Sequence, residues 1–236
     1  VKAAFNKYTP DVVINAAAYT AVDKAEEEQD TAYAVNRDGP EILAAACSIT
    51  DIPFLHISTD FVFDGNKKEP YSEKDKCNPL SIYGKSKWEG EKALIAKCTK
   101  HIILRTAWVF GGDQNFVKTM RRLAETRDVL SVVNDQRGGP TAALDIAASL
   151  IRIAKAVVSS NFSDWGIYHY CGNPSVSWYE FACEILKNKP SVTVKPIPTS
   201  SYPTPAMRPA NSVLACEKIR TVFGISQPDW TAALSQ

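Results

Sequence analysis

Tyr83 and Lys87 are the residues of this sequence best suited to chemistry, standing four apart in Tyr83-Gly84-Lys85-Ser86-Lys87. On a helix that spacing puts both on one face, about a turn apart. An ammonium beside a phenol favours the phenolate and lowers the tyrosine pKa toward working pH. A tyrosine so tuned can protonate an alkoxide as a hydride arrives at a carbonyl carbon. With nine tyrosines in the chain, one such pair on a solvated helix arises readily by chance. Position decides the matter. The pair opens a predicted helix, which follows the loop after a strand ending in Ser58-Thr59-Asp60. A hydroxyl from that strand end can therefore meet a phenol from the next helix.

The elements that would position these groups are legible as an alternation. Asp11–Ala17 is a short, apolar, β-branched run, as a buried parallel strand should be. Asp30–Thr50 reads as a helix, Pro53–Ser58 as a second strand, 64–81 as a polar loop, Ile82–Lys100 as a helix and His101–Thr106 as a third strand. Strand, helix, strand, helix, strand implies right-handed crossovers and a parallel sheet covered on both faces. Ligands on such sheets bind beyond the carboxyl ends of the strands. Further on, Asn115–Thr126 reads as a helix, Val129–Val133 as a strand and Ala142–Ser159 as a helix. Gly166–Cys171 reads as a strand, and Ser177–Asn188 as a helix with Ser177 at its N-cap. The proline-rich stretch Pro190–Pro209 is expected to be an ordered loop over a site or between lobes. The fold class expected is α/β, a Rossmann-like doubly wound parallel sheet with a smaller C-terminal substrate-binding lobe. Its expected division is 1–145 for a partial dinucleotide-binding Rossmann domain and 146–236 mainly for the lobe, with interleaved elements.

Composition narrows the function classes. Hydrophobic residues make up 45% and charged residues 22%, with a formal net charge of +1, which gives no reason to invoke nucleic acid or an anionic membrane. No apolar run approaches a membrane span, and Val1-Lys2-Ala3-Ala4-Phe5 does not read as a secretory signal. The six cysteines are scattered without a C-x-x-C pair, so reduced thiols in a cytoplasmic protein are expected, and no metal site. His56 and His101 fall in or beside apolar strands, where a structural role is expected.

Six blocks in order carry a resemblance that covers nearly the whole chain. They are Asn15–Glu26, Ser58–Gly65, Pro79–Lys87, Arg105–Phe110, Asn134–Thr141 and Tyr202–Ser212. Together they resemble the dTDP-4-dehydrorhamnose reductase group of the extended short-chain dehydrogenase/reductase family. The resemblance implies hydride transfer from NADPH or NADH to a dTDP-linked 4-keto sugar. It implies Tyr83 as general acid and Lys87 as the residue that binds the nicotinamide ribose and tunes Tyr83. Thr59 would hydrogen-bond the sugar 4-oxygen, with Asp60 lining the same pocket. Ala17, Ala18 and Tyr19 would pass beneath the cofactor, and Trp108 would pack on the substrate side. Arg208 is the candidate for the diphosphate, because guanidinium pairs well with phosphate oxygens. Asn115 and Phe116 are candidates for nucleotide contact, and a homodimer is the oligomer such relatives suggest.

Two departures refine this reading. Phe61 follows Thr59-Asp60 where dehydratases of the family need a glutamate, which argues against dehydration. The glycine-rich turn that opens the family's fold is not found, and Val1–Tyr8 resembles the helix ahead of a later strand. The expectation is that a leading βαβ unit is missing, that Asp11–Ala17 forms a sheet edge and that cofactor affinity is weakened. Two other functions compete: a non-catalytic regulatory subunit resembling that of methionine adenosyltransferase, and another nucleotide-sugar epimerase or reductase.

Overall fold

The computed structural model describes residues 1–159 and 161–234. Helix α1 (Lys2–Tyr8) leads into strand β1 (Val13–Asn15). Helix α2 (Gln29–Tyr33) runs through a π-helical turn (Ala34–Asp38) into α3 (Gly39–Ile49). Strand β2 (Phe54–Thr59), helix α4 (Ile82–Lys97) and strand β3 (His101–Thr106) follow. Next come β4 (Val109–Phe110), α5 (Phe116–Leu123), β5 (Val129–Val133), β6 (Arg137–Gly138) and β7 (Thr141–Ala142). Helix α6 (Ala143–Val157), strand β8 (Gly166–His169), strand β9 (Val176–Ser177), helix α7 (Trp178–Ile185) and strand β10 (Thr193–Ile197) complete the alternation. Helices α8 (Glu217–Phe223) and α9 (Trp230–Ala233) close it.

The main sheet runs β1-β2-β3-β8, every pair parallel. Its strands are apolar on alternate residues toward both sides, which is why they read as continuous hydrophobic runs. Phe54 and Ile103 face Ala44, Cys47 and Leu94 of α3 and α4. Leu55, Ile102 and Leu104 face the opposite way, toward Ile146, Leu150 and Ile153 of α6 and Ile219 of α8. Helix α6 buries Ile146, Leu150, Ile153 and Val157, one stripe of a 3.6-residue period. The result is the expected doubly wound sheet, with β1 at one edge.

A second core gathers Phe110, Val117, Met120, Leu130, Val132, Phe181 and Trp230 around β5, α5 and α7. Here the sequence reading needs correcting. Pro190–Pro209 is not simply loop, because Thr193–Ile197 forms β10, parallel to β5. Thr193 N–H donates to Asp128 and Asn134 N–H to the Ile197 carbonyl, so odd-numbered residues face β5. Pro196 turns its donorless nitrogen outward, where an edge strand tolerates it. Strand Asp11–Ala17 also shortens to Val13–Asn15.

Helix α4 is fixed at both its cap and its flank. The Ser81 side chain accepts from Gly84 N–H at the N-cap. Gly90 lies so close to the π-helical turn that a Cβ there would sit 1.9 Å from the Asn36 carbonyl oxygen. Alanine is worth about 1 kcal/mol over glycine inside a helix. Overpacking against backbone costs about 1–3 kcal/mol, so the clash wins. Gly90→Ala is expected to lower the urea midpoint, and to lower turnover as well because α4 carries Tyr83 and Lys87. A stabilised variant would contradict this packing.

Candidate active site

The carboxyl ends of β1, β2 and β3 converge on one place, and the candidate catalytic groups stand there. Thr59 ends β2 and caps the turn that follows: its hydroxyl accepts from Phe61 N–H at 3.2 Å and donates to Asp60 Oδ1 at 3.0 Å. Tyr83, in the first turn of α4, stands edge-on to the Phe61 ring with 5.5 Å between centroids. Burial pushes the Tyr83 phenol up to about 12; the nearby Thr59 hydroxyl opposes that rise and the Asp60 carboxyl adds to it. Thr59, Asp60 and Tyr83 are thus brought together.

Lys87 stands one turn further along α4. Its stem runs inward, 2% exposed, rather than along the helix face toward Tyr83. Nζ donates to the Ile57 carbonyl at 2.7 Å and lies 3.3 Å from His56 Nε2. Burial lowers its pKa to about 8, with Glu91 pulling the other way. The Tyr83 shift comes chiefly from burial, and it holds that group as a phenol at neutral pH. The four-residue spacing fixes where the two Cβ atoms start, but a four-carbon stem decides where the charge ends.

Asp60 is 2% exposed, and its Oδ2 has no hydrogen-bond partner among the described residues. The Thr106 hydroxyl, opposite Thr59 in the sheet register, is equally unpartnered. Buried polar atoms are rarely left so, and a pair of them at the strand ends marks a place for polar groups of a ligand. Burial raises the Asp60 carboxyl to about 6 from an ordinary 3.8, with the Ser212 and Thr59 hydroxyls drawing it part of the way back. A carboxyl raised on folding stabilises the fold fully below its unfolded value, and that stability is lost as pH rises through the folded one. Asp60 should therefore make the chain less stable between about pH 4 and pH 6, by roughly 3 kcal/mol. Asp60→Asn should flatten that slope in urea melts taken across the window; an unchanged slope would place its cause elsewhere.

The other predicted residues divide. Asn15 Oδ1 accepts Ala17 N–H at 3.1 Å, and the Tyr19 backbone is held by both ends of the Asn36 amide, so 17–19 is a fixed turn past β1. Ala17 is exposed and Ala18 half-buried, while the Tyr19 hydroxyl turns away to donate to Glu28. Trp108, at φ 46°, stacks on Trp178 with 3.6 Å between centroids and 6° between planes. Both indoles wall a cavity of about 410 Å³ that also meets Phe61, Phe116, Arg208 and Ser212. That is an ordinary size for a small-molecule site. Arg208 stands on its rim, doubly bonded to Asp23 at 2.8 and 2.7 Å. Asn115 lies apart: its side chain caps α5 by accepting from Lys118 N–H and donates to the Gly111 and Gly112 carbonyls.

Some contributors were not foreseen. Trp178 falls within the helix expected over Ser177–Asn188, and nothing in the sequence marks it as the partner of Trp108. His56 was expected to be structural, and the strand pattern gives no hint of its contact with Lys87. Asp23 lies within the first resemblance block but was given no role.

Known proteins place this architecture. A family model described as the RmlD substrate binding domain matches residues 1–236. The dTDP-4-dehydrorhamnose reductase of Aggregatibacter actinomycetemcomitans is 50% identical, over 97% of this chain and 81% of its own. That of Sinorhizobium fredii is 48% identical, over 94% of this chain and 77% of its own. Among solved structures, a dTDP-4-dehydrorhamnose reductase from Clostridium acetobutylicum superposes with TM-score 0.92 at 43% identity, covering 98% of this chain and 81% of its own. One from Bacillus anthracis, in complex with NADP, gives TM-score 0.92 at 34% identity, covering 99% and 82%. With the doubly wound sheet and the converging strand ends, these matches leave one conclusion: the chain belongs to the RmlD substrate binding domain family.

Proposed function

We propose that this chain reduces dTDP-4-dehydro-6-deoxy-L-mannose to dTDP-L-rhamnose with NADPH or NADH, a step toward surface polysaccharide. The observation that carries the reading is the convergence of Thr59, Asp60 and Tyr83 where β2 ends and α4 begins, beside the cavity walled by Trp108. Relatives at 48–50% identity bear the reductase name, which agrees with it.

The residues present suit a nicotinamide cofactor on its reactive side. Ala16 and Ala17 are exposed past β1 and carry nothing beyond Cβ, so a flat ring can approach the backbone there. Lys87 can turn a donor outward, and the Thr106 hydroxyl, opposite Thr59 in the sheet, has no partner among the described residues. A reduced nicotinamide, when bound, supplies hydride to C4 of the sugar. Tyr83 gives its proton to the 4-oxygen as that oxygen gains charge. A phenol held near 12 keeps its proton at neutral pH, and an alkoxide is a stronger base still. Thr59 and Asp60 orient the 4-oxygen and a neighbouring hydroxyl. The indole of Trp108 offers an apolar face to the sugar ring. Arg208, already balanced by Asp23, turns to the diphosphate only if that ion pair opens.

In this reading the substrate lobe is drawn mainly from 146–236, interleaved with α6, β8 and α8 of the main-sheet layers and joined by α5 and β5 from earlier in the chain. The protein works in the cytoplasm, in keeping with the fact that no described helix is long and apolar enough to cross a membrane. A homodimer belongs to the same reading; exposed Ile42 and Ile49 of α3 and Ile95 of α4 offer apolar surface for it. The test is calorimetric titration with dTDP-L-rhamnose against UDP-glucose, followed by turnover of the 4-keto sugar. Saturable binding that prefers the dTDP sugar is expected. A folded sample that binds neither would end the substrate claim and favour the regulatory-subunit alternative.

A further inference from the structure

The first turn of α4 needs partners that it does not supply itself. Its leading N–H groups have none within the helix, and Ile82-Tyr83-Gly84 brings no acidic side chain to the positive end of the helix dipole. The Ser81 side chain accepts from Gly84 N–H, at 3.2 Å. The Ile82 N–H, next to Tyr83 in the chain, donates instead to Glu26 Oε1 at 2.8 Å, across 56 residues of sequence. Glu26 ends a single 3₁₀ turn, Lys24–Glu26, that follows β1. That turn is itself fixed. Ala25 is fully buried and its N–H donates to the Ala21 carbonyl at 2.9 Å, while the Glu26 carbonyl accepts from Gln29 Nε2 at 3.2 Å.

We infer that Glu26 is a positioning residue for Tyr83: its carboxylate ties the start of the helix that carries the phenol to the turn past β1. The inference rests on the reading above, in which Tyr83 protonates the 4-oxygen while a cofactor lies past β1. An acid so placed must keep its distance from two groups at once, the sugar on the β2 side and the hydride donor on the β1 side. Misplacement by about 1 Å costs such a reaction up to about a hundredfold.

The two sides of the helix start are held by different means. Toward β2 the contact is steric: a Cβ on Gly84 would sit 2.3 Å from the Phe61 carbonyl oxygen, so the helix can come no nearer. Toward β1 the contact is polar, and Glu26 makes it. Asn36 adds a second tie further along. Its amide holds the Tyr19 backbone at 2.9 and 3.0 Å and donates to Ser86 Oγ at 3.0 Å, and Ser86 donates to the Tyr83 carbonyl at 2.8 Å. The Tyr83 backbone is thus bracketed, by Glu26 on the N–H before it and by Ser86 on its own carbonyl. Asn36 is buried within the packing of the π-helical turn, whereas Glu26 is half-buried and can be changed without opening the core.

Glu26→Gln keeps an acceptor for the Ile82 N–H, and Glu26→Ala removes it. In Glu26→Ala, kcat should fall about ten- to hundredfold while KM changes little. Sites are counted by calorimetry with dTDP-L-rhamnose, so that unfolded chain is not scored as slow enzyme. Glu26→Gln should recover most of kcat, which a lost charge or a general loosening would not allow. A Glu26→Ala variant with native kcat would overturn the proposal, and so would a loss that Glu26→Gln fails to recover. A second readout needs neither turnover nor a variant. Nuclear magnetic resonance of the native chain should show a through-hydrogen-bond coupling between the Ile82 amide nitrogen and the Glu26 side-chain carboxyl carbon. Its absence would overturn the proposal whether or not the variants fold. A native chain that shows the coupling but does not turn over the 4-keto sugar would fault the proposed function and leave the tie standing.

Discussion

Tyr83→Phe is expected to leave a folded protein that binds the dTDP sugar and turns it over about 10²–10⁴-fold more slowly, the usual worth of a positioned general acid. That factor corresponds to about 3–5 kcal/mol of transition-state stabilisation. Only the hydroxyl is removed, and the ring keeps its edge contact with Phe61. KM should therefore change little while kcat falls. The measurement is loss of reduced-nicotinamide absorbance with the 4-keto sugar, alongside calorimetry of the product. A kcat within a few-fold of the native value would remove Tyr83 from the mechanism. Retained binding with no turnover in the native chain itself would instead favour the regulatory-subunit reading.

The largest effect on stability is expected behind the site. Glu91 of α4 and Arg105 of β3 form a doubly bonded pair, both side chains 2% exposed. Ser58 donates to the same Glu91 oxygen at 2.5 Å. Without the carboxylate, the guanidinium is left with Cys77 Sγ at 3.2 Å and His169 Nε2 at 3.4 Å, neither of them anionic enough to balance it. Breaking one side of a buried pair costs about 3–5 kcal/mol, a large part of the 5–15 kcal/mol a domain has. Glu91→Leu should lose about that much in urea unfolding. Adding Arg105→Met should recover most of it, because matched apolar replacement of a buried pair is often neutral. A single variant that loses under about 1 kcal/mol would show that the pair contributes less than buried pairs usually do.

Much of the fold is written in local pattern. His101–Thr106 and Val129–Val133 are strands to the residue, because β-branched runs bounded by polar residues leave little choice. Ser177 caps α7 as its type suggests, and Glu180 completes the reciprocal cap. Strand β10 escaped because its stability comes from a partner sixty-odd residues earlier, and Pro196 argues locally against it. The same boundary separates the legible part of the site from the rest. Tyr83 and Thr59 could be joined because a strand end and the following helix start are forced together by the crossover. The inward course of Lys87 depends on a carbonyl and an imidazole of β2. The stack of Trp178 on Trp108 joins the segment after β3 to the start of α7. No spacing rule reaches across such distances.

The ion pair of Asp23 with Arg208 has a further consequence, for the order in which the molecule can be made. The acid and its neighbours lie close together in the chain, between Asn15 and Lys87. The far wall of the cavity waits for Trp178, and its rim for Arg208. A ribosome adding about 5–20 residues per second completes the first group several seconds before the second emerges. During that interval Asp23 has no guanidinium and Trp108 no partner indole. Contacts so distant in sequence are also the slow ones to form. The nascent chain therefore holds Thr59, Asp60 and Tyr83 well before it holds a closed cavity, and on the proposed function the proton donor is made before the selectivity for the sugar nucleotide.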